Sequence, residues 1–160
     1  MSKEDVFDSI SPNMISFTNS YKQELKGQIS HLVKENLDIK SLFDFARDNI
    51  PNVLIETFRT HLKDNAGDGY IIVKNLPDNY PDELLVVLNS LIGTPIQYQK
   101  EGPMVIDIKP QKAHDQQDIS YRTSNEFGFH TDLSYASIPP DFLSLLAIKQ
   151  DLHKQAKSKP

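Results

Sequence analysis

The sequence predicts an α+β fold, with helices first and strands late. Three observations carry that expectation. Between residues 18 and 66 apolar side chains recur at helical spacing. From Thr94 onward that period gives way to short β-branched or alternating stretches. Runs of helices followed by runs of strands, rather than their alternation, point to α+β.

Residues 1–17, "MSKEDVFDSISPNMISF", read as a polar leader, and residues 18–160 as a single domain. In the helical part, about 18–66, Tyr21, Leu25, Ile29 and Leu32 form one apolar stripe, so a helix is expected from Thr18 to about Asn36. "LDIKSLFDFARDNI" gives a second, shorter helix with Leu42, Phe43, Phe45 and Ala46 inward. Pro51 suits the first turn of a third, "NVLIETFRTHLKDN". "AGDGY" is a turn punctuated by Gly67 and Gly69, and "YIIVKNL" after it reads as a strand ended by Pro77. "PDELLVVLNSLIG" is a further helix, started by Pro81 and capped by Gly93. "MVIDIKP" is a strand candidate, "QKAHDQQDISYRTSNE" a long polar loop, "FGFHTDLSY" an alternating segment, and "DFLSLLAIK" a strand expected to be buried. Residues 152–160 form a polar tail.

Composition narrows the function. A chain of 160 residues can bury roughly 70% of its unfolded surface, enough for a true core. Its net charge of −5 argues against nucleic acid or an anionic membrane as partner, because both demand a basic footprint. With no cysteine, disulfides and thiolate metal sites are excluded, which fits a reducing compartment. The first residues are too polar for a secretory signal, and no apolar run reaches the roughly 20 residues of a membrane span. A cytoplasmic protein acting on a small-molecule substrate is the expectation.

The chemistry concentrates at His130 and Asp132. Side chains i and i+2 share one face of a strand, so in an extended "FHTDL" an imidazole nitrogen and a carboxylate oxygen project together. Those are two of the three ligands of a 2-His-1-carboxylate facial triad, the arrangement that holds non-haem Fe(II) with open positions. Chance supplies about 0.7 such pairs in a chain of this composition, so a surface His beside a surface Asp is the alternative. The other histidines do not compete: His31, His61, His114 and His153 lack an acid two residues later.

In order along the chain, "GYIIVKNLP", "LNSLIGTPIQY", "GPMVIDIKP" and "SNEFGFHTDLSYASIPPDFLSLLAIKQD" are similar to the core segments of one family. From about Gly69 to Asp151 the sequence resembles the Fe(II)/2-oxoglutarate-dependent oxygenases of the taurine dioxygenase and clavaminate synthase-like superfamily, and within it the amino-acid hydroxylase branch. The resemblance implies helices packed on the first half of a double-stranded β-helix (a jelly roll), over about 69–151. It implies Fe(II) on His130 and Asp132, 2-oxoglutarate as co-substrate, and hydroxylation of an amino acid or a similar small molecule. It makes Ser124, Asn125 and Glu126 substrate-contact candidates, and Arg122 is a further one by its own fork geometry, which suits a carboxylate, although each also reads as part of a solvated loop. Two departures stand out: Ile106 occupies a position where that branch often has Gln, and Asp132 one where it often has Glu.

The family's second His and its co-substrate-binding Arg have no counterpart after Asp132 except His153, in a lysine-rich tail. The chain is therefore expected to be a truncated amino-terminal portion of an oxygenase. The alternatives are a non-catalytic remnant or interaction domain of the same fold, or an unrelated binding domain. Truncation would leave Leu143, Leu145, Leu146 and Ile148 partly uncovered and favour self-association or a complementing fragment.

Overall fold

A computed structural model describes residues 1–35, 38–64, 67–97, 102–108 and 139–149. It divides into one compact unit of Met1–Pro95 with Ser144–Pro160 and a second of Ile96–Leu143. The regular elements described all belong to the first unit: α1 (Lys3–Val6), β1 (Phe7–Ser11), β2 (Met14–Phe17), α2 (Asn19–Lys34), α3 (Ile39–Asn49), α4 (Asn52–Leu62), β3 (Ile72–Lys74) and α5 (Pro81–Ser90). The fold is α+β, with five helices and a small open sheet of order β1-β2-β3 among the described residues.

The polar leader expected over residues 1–17 is instead a helical turn and a β-hairpin. β1 and β2 run antiparallel with Phe7 opposite Phe17, and a bulge separates Ser9 from Ser11. Val6, Phe7, Ile15 and Phe17 are buried. Four apolar side chains are enough to anchor a segment most of whose other residues face water. Thr18 locks the hairpin to the next helix. Its hydroxyl donates to the Asp5 carbonyl at 2.7 Å and accepts the Tyr21 N–H at 3.2 Å, capping α2.

On α2 the stripe behaves as its spacing demands. Tyr21, Leu25 and Ile29 are buried and Leu32 is half-buried. The Tyr21 ring meets Phe17 edge-on at 5.0 Å. α3 buries Leu42, Phe45 and Ala46, half-buries Phe43, and packs on α5. Pro51 stands one position before α4, at its N-cap, and α4 buries Leu54 and Phe58. The turn after α4 needs its glycines: Gly69 has φ +75°, and a Cβ on Gly67 would lie 2.5 Å from the Thr60 carbonyl oxygen.

β3 arrives where "YIIVKNL" places it, and pairs parallel to β2, with Ile15 beside Val73. The polar segment that follows is tied back to earlier elements. Asn75, at φ 55°, donates from its amide to the Phe17 carbonyl at 2.7 Å. Lys26 pairs with Asp78 at 2.7 Å, and the Asn79 amide donates to the Ser30 hydroxyl at 2.8 Å. α5 follows with Pro81 in its first turn and buries Leu84, Val86, Val87 and Leu88. It ends at Ser90, and Leu91 and Ile92 carry the chain through a turn to Gly93, whose N–H bonds the Asn89 carbonyl at 3.2 Å.

Two expected strands differ. The described part of "MVIDIKP", residues 104–108, has no strand pairing. "DFLSLLAIK" alternates in burial from Asp141 to Ala147, as an extended chain does, but no ladder forms and the odd-numbered positions face solvent. A strand requires a neighbour as well as a pattern, and among the described residues this segment has none. "FGFHTDLSY" lies outside the described residues. No described helix is long and apolar enough to cross a membrane.

Candidate functional site

The metal pair His130 and Asp132, and the substrate-contact candidates Arg122, Ser124, Asn125 and Glu126, lie outside the described residues, as do His114 and His153. What is described is the chain on either side. Before the pair, the Gln97 side-chain amide donates to the Gly102 carbonyl at 2.9 Å. After it, Pro139 and Pro140 lead into Asp141 and the extended segment. The Ser144 hydroxyl donates to the side-chain oxygen of Asn89 on α5. Phe142, Ser144 and Leu146 are half-buried, whereas Leu143, Leu145 and Ile148 are 64%, 75% and 70% exposed.

Among the described residues no group of three or more His, Cys, Asp or Glu side chains could hold a metal. Both described histidines belong to helices. His31 stands 3.5 Å from Glu35 one turn on, in the open, and His61 edges a surface groove. That groove, of about 250 Å³, was not expected from the sequence, because its hydroxyls and charges come from three separate elements. Lys3, Ser9, Glu56, Thr57, Thr60 and His61 border it. Two of its polar groups are engaged within α4: Glu56 pairs with Arg59 at 3.1 Å, and the Thr57 hydroxyl donates to the Val53 carbonyl at 2.7 Å.

The buried polar atoms are structural by their positions. Asn13, at the hairpin turn, donates to the Asp68 carboxylate and accepts the Ile72 N–H through its carbonyl at 2.8 Å, which extends the β2–β3 pairing. Among the described residues the hydroxyl of Tyr21 and the side-chain oxygen of Asn79 are buried without a partner. Burial, reinforced by the charge of Glu24, pushes the Tyr21 phenol well above its ordinary value of 10.0. A phenol held neutral inside a helix–hairpin interface is poorly placed for proton transfer. No family model, curated protein or solved structure matches the chain.

Proposed function

We propose that this chain carries the metal strand of an Fe(II)/2-oxoglutarate-dependent oxygenase, within the first half of a double-stranded β-helix, and that the complete site hydroxylates a small molecule such as an amino acid. The observation that carries the reading is the His130-Thr131-Asp132 pair standing in order with three other family-like segments. Two described features support it: β3 falls in the first of those segments, and the chain after Pro140 is extended with period-two burial.

The donor set suits the metal. A neutral imidazole nitrogen and a carboxylate oxygen are ligands that Fe(II) accepts, and no thiolate is available to divert the site toward softer metals. His130 would bind through one ring nitrogen, with the other free to donate a hydrogen bond that fixes the ring. Asp132 would lower the net charge of the centre by one. Arg122 would offer two parallel donors to a carboxylate of substrate or co-substrate. Bound Fe(II) with 2-oxoglutarate would supply the oxidising power for C–H hydroxylation.

His130 and Asp132 are the two ligand candidates in this sequence, and the one His after them is His153 in the lysine-rich tail. Fe(II) binding is therefore expected to be weak and turnover of 2-oxoglutarate negligible. The second reading, a non-catalytic interaction domain of the same fold, draws on the exposed apolar residues after Asp141. Anaerobic titration with Fe(II) and 2-oxoglutarate separates the two. A visible charge-transfer band that disappears in His130→Ala supports the metal strand. Absence of Fe(II) binding above the level of His130→Ala favours the interaction domain, and brisk succinate formation would show that two ligands suffice.

A further inference from the structure

Asp68–Gly69 is the one Asp-Gly step in the sequence, and Asn-Gly does not occur. Glycine puts no side chain beside its own nitrogen, so that nitrogen can reach the neighbouring carboxyl. When it adds to Cγ of Asp68, the carboxyl OH leaves as water with the amide proton, and a succinimide ring closes. Water then opens the ring. Addition at Cγ returns aspartate. Addition at the former main-chain carbonyl leaves isoaspartate, with the chain running through Cβ and Cγ. The water lost equals the water gained, and no oxidant is needed.

Both reacting groups are exposed, yet both are held. Asn13, 9% exposed at the hairpin turn, donates its side-chain amide to the Asp68 carboxylate. The Gly69 N–H donates to the His61 carbonyl at 3.1 Å, and the Gly67 N–H to the Asp64 carbonyl at 2.9 Å. Asn13 also accepts the Ile72 N–H through its main-chain carbonyl at 2.8 Å, where β3 begins. One residue of the hairpin thus grips both the reactive turn and the strand after it.

We propose that Asp68 is a site of spontaneous conversion to isoaspartate, that the Asn13 side chain restrains the conversion, and that its completion detaches β3 from β2. Ring closure requires the Gly69 N–H to leave the His61 carbonyl and the carboxyl to leave the Asn13 amide, so the reaction proceeds from an opened turn. Isoaspartate adds one methylene to the main chain between α4 and β3. Asn13 can then no longer hold the carboxylate and Ile72 together, and a three-residue strand has few bonds with which to absorb the change.

The test is ageing of the 160-residue protein in heavy-oxygen water, followed by digestion. Each ring opening installs one heavy oxygen, so the Asp68 peptide gains mass even where it returns to aspartate. Chromatography separates the isoaspartyl form, and a protein-isoaspartate methyltransferase labels it. The native parent should react about 10-fold or more slowly than the same protein in urea. Asn13→Ala, which keeps the main-chain bond to Ile72, should react about 5-fold faster than the native parent. Asn13→Asp, of the same size and without the donor, should do likewise. Asp68→Glu should suppress the reaction, because its ring would be one atom larger. The aged parent should lose hydrogen-exchange protection at Ile72 in step with isoaspartate, whereas equally aged Asp68→Glu keeps it. Equal rates in the native parent and in urea, a folded Asn13 variant ageing at the parental rate, or an isoaspartyl form that keeps Ile72 protected would overturn the proposal.

Discussion

On α2, Tyr21, Leu25 and Ile29 are 0–1% exposed; in the extended segment, Leu143 and Leu145 are 64% and 75% exposed. The residue types are alike and both patterns are regular, one helical and one alternating. The difference is what stands opposite. α2 is clasped at its start by Thr18 and Asp5, and along its length by the Lys26–Asp78 and Ser30–Asn79 contacts, and its Tyr21 ring meets Phe17 of the hairpin. The extended segment meets α5 through Ser144 and presents its other face to water. A period thus determines how a stretch of chain is shaped and which side chains share a face. Burial of that face needs a second surface.

The contrast can be broken directly. Leu25→Ala removes most of a fully buried side chain and should cost about 2–5 kcal/mol, read as a lowered denaturation midpoint. Leu145→Ala, measured on dilute protein, should stay within about 0.5 kcal/mol of the parent. Equal losses would mean that the extended segment is as enclosed in solution as α2. A smaller effect sharpens the picture of the α2 interface. Tyr21→Phe keeps the edge-on contact with Phe17 and deletes a buried hydroxyl that has no partner among the described residues, so it should stabilise the fold by about 1 kcal/mol. A loss of stability on that substitution would reveal a partner for the hydroxyl in solution.

Thr18→Ala should destabilise by a comparable amount, about 1 kcal/mol, because it uncaps α2 and frees the Asp5 carbonyl. Thr18→Ser should recover most of that loss. The smallest effect is a pH dependence at α3. Asp38 accepts hydrogen bonds from the backbone N–H of Ser41 and then from its hydroxyl, which hold its carboxyl below the ordinary 3.8. Because the folded value is the lower one, the stabilisation is present above that pH and is lost as pH falls through the folded value. Asp38→Asn should flatten the acid limb of the stability curve below about pH 4, and an unchanged limb would remove Asp38 from the account.

Much of the helical half was legible because its elements contain their own evidence. The Tyr21–Leu25–Ile29 stripe, the turn glycines Gly67 and Gly69, and Pro81 at a helix start are local signals, and α2 to α5 and β3 fall within a few residues of where the sequence places them. The first 17 residues were not legible as structure. β1 buries only Phe7 of its five residues, so alternation is absent. The remaining clue was Ile15 and Phe17, two apart after the Pro12-Asn13 turn. At the candidate site the sequence supplies two donors at i, i+2 spacing, His130 and Asp132, and both lie outside the described residues.

The parallel pairing of β2 with β3 has a temporal consequence. Ser16 and Lys74 are partners although 58 residues separate them, whereas β1 and β2 are joined by a tight turn. The hairpin can close early, but its third strand must wait for α2, α3 and α4 to be made. At a synthesis rate of about 5–20 residues per second, β2 spends roughly 3–12 s with one edge open before β3 has even been polymerised. Contacts of that sequence separation come late in refolding as well. The amino-terminal hairpin is therefore the part of this chain most dependent on what happens to it while it is being born.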